Sequence, residues 1–192
     1  MKKSWIIIGV LVLLVLMLGS MYNGMVKLNV ETQNSWAKVE TQYQRRADLI
    51  DNLVNTVKGY ADFEKSTLVS VIEARAAATQ VKVDASDLSP EKIAEFQAAQ
   101  DQLKGSLSRL LVTVEQYPNL KANEGFLKLQ DELVGTENRI AVARDNFNET
   151  AKAYNVSIQT FPRNLIAGMF GFKTKGFFES SPGSEKAPTV KF

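Results

Sequence analysis

The chain has 192 residues, a formal net charge of +2, and neither cysteine nor histidine. So small a charge gives no reason to expect nucleic acid or another polyanion as partner. The two missing residue types exclude disulfides, most zinc, haem and copper sites, and any catalytic triad that needs an imidazole base.

No charged residue falls between Lys3 and Lys27, and the run from Trp5 to Leu18 is almost wholly aliphatic. A helix needs roughly 20 mostly apolar residues to cross the hydrocarbon core, and this stretch supplies them. The expected layout is therefore an anchor over residues 1–26 carrying one soluble domain, with about 165 residues left for it. A cleaved secretory signal is the competing reading. Against it, the apolar core is long for such a segment, and the small-residue stretch Leu18-Gly19-Ser20 places leucine where a cleavage site wants a small side chain. Lys2 and Lys3 form a compact positive end, whereas Lys27, Glu31, Lys38 and Glu40 mix signs beyond the run. The positive-inside rule then puts the N-terminus in the cytoplasm and the domain outside it. Ser20 and Gly24 make a small-xxx-small pair that can bring two anchors together, so a homo-oligomer stays among the open partner arrangements.

Residues 27–162 read as a helical bundle. Lys27 to Lys58 contains no proline or glycine, and Trp36, Val39, Tyr43, Arg46, Ile50, Leu53 and Val57 alternate three and four apart, the seam of a bundle helix. Gly59 is the expected left-handed residue after this helix and Asp62 the cap of the next. A second helix is expected from Phe63 to Thr79, with Leu68, Ile72 and Ala76 in register, followed by a connection from Val81 to Leu88. Ser89-Pro90-Glu91 is a helix start. Its seam runs Ile93, Phe96, Gln100, Leu103, Leu107, Leu110, Val114, Tyr117 and is stopped by Pro118. Asn123 is the expected cap of a last long helix with the seam Phe126, Leu129, Leu133, Thr136, Ile140, Ala143, Phe147, Thr150, Tyr154, Ser157, Phe161, ended by Pro162. Short connections make such helices antiparallel neighbours, so the fold class is all-α: an N-terminal transmembrane helix and an antiparallel four-helix-type bundle.

Residues 163–179 are dense in glycine and phenylalanine, with neither helical nor strand period, and residues 180–192 have the composition of a disordered tail. Phe170, Phe172, Phe177 and Phe178 either cap the bundle as a flap or form an apolar patch that docks a partner or a membrane.

Several stretches together resemble a known family. They include Tyr22-Asn23, Trp36-Ala37-Lys38-Val39, Gln44-Arg45-Arg46-Ala47-Asp48-Leu49-Ile50-Asp51-Asn52-Leu53-Val54, Glu73-Ala74-Arg75 and Val114-Glu115-Gln116-Tyr117-Pro118-Asn119-Leu120-Lys121-Ala122-Asn123. The series continues in order through Thr136-Glu137-Asn138-Arg139-Ile140-Ala141, Phe147-Asn148, Tyr154-Asn155, Phe161-Pro162 and Gly171-Phe172. It is similar to the LemA family, which implies an atypical four-helix bundle behind an N-terminal transmembrane helix in a bacterial cell membrane. The resemblance implies no catalytic activity. Phe147, where tyrosine is usual, and Ala47 between the arginine pair and Asp48 are its departures.

Bundles that hold di-metal carboxylate sites use Glu-x-x-His pairs, which this chain cannot make. Glu64, Glu73, Glu115 and Glu137 lie among Arg45, Arg46, Arg75, Arg139 and Arg144, a mixture that favours ion pairs over a cation cage. Arg46 is the one charged residue on the first seam; it either pairs with a glutamate at the core edge or binds an anion. Arg46, Glu115, Arg139 and Arg144 are thus the expected structural polar network, and the four phenylalanines of the tail the candidate partner-binding residues. No catalytic residue, metal or cofactor is expected. The preferred function is a membrane-anchored scaffold or adaptor at the cell envelope, which recognises protein partners through a helix face. The alternative is an envelope-associated enzyme, or a regulator of a membrane protease, that works with carboxylates and arginines.

Overall fold

The computed structural model describes residues 2–60 and 63–179, with side chains from Trp5 onward. Among the described residues there are six helices: α1 (Lys2–Lys58), α2 (Lys65–Gln80), α3 (Pro90–Val114), α4 (Pro118–Lys121), α5 (Glu124–Gln159) and α6 (Arg163–Met169). The all-α bundle is as expected. The single turn α4 and the short α6 are additions that no period in the sequence marks, since four and seven residues are too few to display one.

Helix α1 is a single rod of 57 residues, about 85 Å at 1.5 Å per residue. Its apolar start is long enough to cross a membrane, and every side chain from Trp5 to Ser20 is exposed to the surroundings of the protein. The character changes at Met25, which is buried, and all seven residues of the Trp36-to-Val57 seam are buried beyond it. Helix α5 runs antiparallel along this seam. Met25 shares a cluster with Tyr154, Trp36 with Phe147, and Ile50 and Leu53 with Phe126.

The α2–α3 hairpin covers the far half of the pair. Leu68, Val71, Ala74 and Ala78 of α2 and Leu103, Leu110 and Val114 of α3 complete one core around Leu53 and Val57. The connection between these helices turns on Asp84, whose carboxylate accepts from Ser86 N at 2.7 Å, and it sends Val83 and Leu88 into the neighbouring core. Ser89 and Pro90 start α3 as expected, although the serine side chain makes no capping bond. Helix α3 stops at Val114, before Tyr117, because a residue preceding proline avoids helical geometry; Tyr117 sits at φ −120°, ψ 83°. Asn123 caps α5 by accepting from Phe126 N at 3.0 Å.

One terminus expectation differs. Gly59 is not left-handed: the last turn of α1 tightens instead, with Gly59 N donating to Thr56 O and Tyr60 N to Val57 O at 3.2 and 3.0 Å. Among the described residues the left-handed glycine is Gly171, at φ 74°, after α6. Phe172 N reaches back from there to Ala167 O at 3.0 Å, the long bond that closes a helix C-terminus of this kind. Asp62 and residues 180–192 lie outside the described residues.

Beyond Gly171 the chain runs extended along α5 and the start of α3. Gly176 is fitted so closely there that a Cβ would lie 2.7 Å from the Cα of Pro90 and 3.0 Å from Ile93. Since Pro90 offers backbone rather than a movable side-chain end, Gly176→Ala is expected to cost about 1–3 kcal/mol, typical of overpacking. Denaturant midpoints of the two detergent-solubilised proteins, followed by helical circular dichroism, measure it; an unchanged midpoint would mean that this segment does not bear on the bundle.

Candidate functional site

The seam of α1 places Tyr43 and Arg46 one turn apart, facing α3 and α5. Arg46 is only 3% exposed. Its guanidinium donates to Gln100 Oε1 at 2.5 Å and Gln100 O at 3.3 Å, and pairs with Glu137 at 3.2 Å. Gln100 in turn donates to Ala78 O at 3.3 Å, so Arg46 and Gln100 between them join α1, α2, α3 and α5. Lys104 holds the other Glu137 oxygen at 2.8 Å. Arg144 donates to the Tyr43 hydroxyl at 2.5 Å and lies 3.7 Å from Asp101. Both guanidiniums also sit on rings: Arg46 is 4.8 Å from the Tyr43 centroid, and Arg144 is 4.8 Å from that of Phe178.

Burial pushes the Tyr43 phenol up, against the pull of the two arginines, and pushes Arg46 down. Burial alone would raise Glu137 too, but the hydrogen bonds and charges of Lys104 and Arg46 outweigh it and hold the carboxyl below its ordinary value. This cluster can orient helices and carry charge beneath the surface. It presents no nucleophile beside a base.

Of the four residues expected to form a polar network, Arg46 and Arg144 meet at Tyr43, whereas Glu115 and Arg139 lie apart from them. Glu115 is exposed and pairs with Lys121 on α4. Arg139 is exposed on α5, where it lines a shallow groove with Lys38, Gln42 and Val142.

The four phenylalanines also part company. Phe178 is buried, stacked on Trp36 at 6.0 Å and edge-on to Phe147 at 5.6 Å. Phe172 is half-buried against the membrane-proximal core, and Phe170 and Phe177 are exposed. Phe161, expected as the last position of the α5 seam, faces outward instead.

The extended segment that carries Phe178 is held by carboxamides on both its backbone groups. Asn155 accepts from Lys175 N and donates to Lys175 O, each at 2.8 Å. Asn148 does the same for Phe178 at 2.9 Å, and Gln97 of α3 for Glu179 at 2.9 and 3.0 Å. The register has a simple cause. One heptad of α5 advances about 10.5 Å, and three residues of extended chain cover about 10 Å. Asparagines seven apart therefore match backbone groups three apart, and the strap runs antiparallel to α5. None of these amides stands on a seam, so hydrophobic periodicity does not mark them. The signal that could have found the two asparagines is the repeat of aromatic-asparagine pairs, Phe147-Asn148 and Tyr154-Asn155, one heptad apart.

A helical bundle continuous with one membrane-competent helix defines the structural class. The chain belongs to the LemA family, whose pattern it matches over residues 35–192. Among curated relatives it is similar to the magnetosome proteins MamQ 1 of Paramagnetospirillum magneticum and MamQ of Magnetospirillum gryphiswaldense, 27% identical over 181 residues in each case. These alignments take in 85% of this chain and 66% of the relative. It is also similar to Protein LemA of Metamycoplasma hominis, 28% identical over 151 residues, covering 79% of this chain and 65% of that protein. The chain thus spans just under two thirds of the length of these relatives.

The ion pair yields a prediction with a definite sign. Glu137→Ala removes the carboxylate partner of a buried guanidinium and is expected to cost about 2–3 kcal/mol, softened by the half-exposure of Glu137. Arg46→Met removes the buried charge and leaves Glu137 with Lys104, so it is expected to cost less. Because the folded carboxyl is held below its unfolded value, the stability it contributes is present above about pH 4.3 and is lost as pH falls through the folded value. Urea midpoints collected from pH 7 to pH 3 should fall less steeply for Glu137→Gln than for the parent chain.

Proposed function

We propose that the chain is a membrane-anchored scaffold that holds a rigid helical bundle close to a bilayer and offers it to protein partners. The observation that carries this reading is the continuity of α1: one unbroken helix provides both the apolar span and the central seam of the bundle. A bundle fixed this way cannot swing freely about a linker, which suits a platform for recognition. In this reading residues 1–26 are the anchor, residues 27–162 the bundle and residues 163–179 a cover on it. The N-terminus lies in the cytoplasm, and the bundle lies outside the inner membrane. The groove between α1 and α5 lined by Lys38, Gln42, Asn138, Arg139 and Val142 is a candidate for helix-face recognition.

Sidedness tests the reading. The parent chain has no thiol, so Ser108→Cys, at an exposed site on α3, is a unique reporter. It is expected to react with a membrane-impermeant maleimide in intact cells whose outer membrane, where present, has been permeabilised. Labelling only after lysis would place the bundle in the cytoplasm and turn the proposal into a cytoplasmic adaptor.

One observation favours the alternative of an enzyme or regulator. A cavity of about 450 Å³ opens between α1 and the connection after α2, and Glu40 and Asp84 face it with Gln44, Thr79 and Lys82. Partial burial raises the carboxyl of Glu40, an otherwise exposed residue, against the pull of the Trp36 N–H, and the charge of Asp84 adds to the rise. Carbon-detected titration of Glu40 is expected to show a midpoint above the ordinary carboxylate range that falls in Asp84→Asn. An ordinary midpoint would remove the support for this second reading.

A further inference from the structure

Helix α6 has two faces of opposite fate. Ile166 and Ala167 turn inward, where they pack with Met25 of α1 and Tyr154 and Ile158 of α5. Leu165 and Met169 turn outward and are 60% and 83% exposed. Phe170 continues that face at 63%, and Phe161, just before the helix, adds another ring at 76%. Large apolar side chains gathered this densely without protein cover mark a contact surface, because water is a poor solvent for them.

Position decides what covers them. The ring of Phe170 lies 5.0 Å from that of Tyr22, and the ring of Phe172 lies 5.7 Å from it. Tyr22 stands one turn beyond Leu18, where the bare apolar run of α1 ends. The exposed face of α6 is therefore continuous with the surface that α1 offers to hydrocarbon, and an aromatic cluster with a phenolic hydroxyl stands at the junction. Tyrosine is characteristic of that level of a bilayer, where its ring meets acyl chains and its hydroxyl meets headgroups. Immediately beyond, the chain turns basic: Lys27 on α1 and Lys173 after Gly171 are both exposed.

We propose that α6 is a lipid-docking element: the face formed by Phe161, Leu165, Met169 and Phe170 is immersed at the headgroup–acyl boundary beside the span. The bundle is then seated on the membrane at two places, and the lipid–water boundary falls at the level of Tyr22. The occupant is the bilayer itself, since the patch extends a surface already directed at lipid. The proposal rests on α1 being a membrane span, and the experiment separates the two.

Single cysteines at Leu165→Cys and Met169→Cys, with Val12→Cys in the span and Ser108→Cys on α3 as references, are spin-labelled in the full chain. Each protein is reconstituted in phosphatidylcholine–phosphatidylglycerol vesicles, and collision rates with oxygen and with a water-soluble nickel chelate are measured. At positions 165 and 169 the oxygen-to-nickel ratio is expected to exceed that at position 108 several-fold and to approach that at position 12. Ratios equal to that at 108, with position 12 still reporting lipid, would overturn the lipid-docking role and leave the anchor standing. Protection from both reagents at 165 and 169 would overturn it in favour of a protein partner or a second copy. A water-like ratio at position 12 itself would overturn the anchor as well.

Discussion

Helix α1 is surrounded by two media along one unbroken backbone, and the rest of the architecture follows from how it meets each. Up to Ser20 its side chains are bare on all sides; from Met25 onward one stripe is buried and its partner is α5. A helix satisfies its backbone hydrogen bonds internally, so the crossing from one medium to the other needs no loop and exposes no unpaired peptide group. The pair of long antiparallel helices forms a spine, and the α2–α3 hairpin, α6 and the extended segment are each laid upon it. Three successive cores along the spine, each drawing on different additional elements, are the result.

Within that spine Arg46 is costly but informative. Apolar contacts between two heptad seams tolerate sliding, because leucine against valine differs little from leucine against isoleucine. A guanidinium tolerates it poorly. Displacing α5 by one heptad would set Arg46 against Arg144 in one direction and against neutral Gln130 in the other, in place of Glu137. Buried ion pairs add little net stability relative to well-packed apolar residues. The return on this one is alignment: it fixes which turn of α5 lies beside which turn of α1, with Gln100 and Tyr43 closing the remaining sides.

The long repeats were legible in the sequence, whereas on the shorter α2 the expected register failed: Ile72 and Ala76 face outward, and Val71, Ala74 and Ala78 are buried with Leu68. The seven seam positions of α1 are all buried because a helix with apolar residues alternating three and four apart has one face to hide. Local capping chemistry was readable at Asn123, where side chain and backbone are three residues apart, and less so at Gly59, because a glycine signals permission for a left-handed turn without requiring one. Glu115 and Arg139 were grouped with Arg46 in one expected network, yet they face outward; Arg46 alone of the three stands on a seam. The tail was the least legible part. Its side chains carry no period, and its conformation is set by amides on other elements, far away in the chain.

Recognition of the extended segment through its peptide groups constrains number more than identity. Asn148 and Asn155 grip backbone, so they are indifferent to which side chains lie between Lys175 and Phe178, apart from the glycine that the close fit demands. They are not indifferent to how many residues lie there. Adding or removing one would shift the backbone by about 3.3 Å and turn Phe178 to the opposite side of the extended chain, away from Trp36. Two asparagines on a helix thus act as a ruler for a stretch 20 to 30 residues distant. Along this stretch composition is free to vary, whereas length is not.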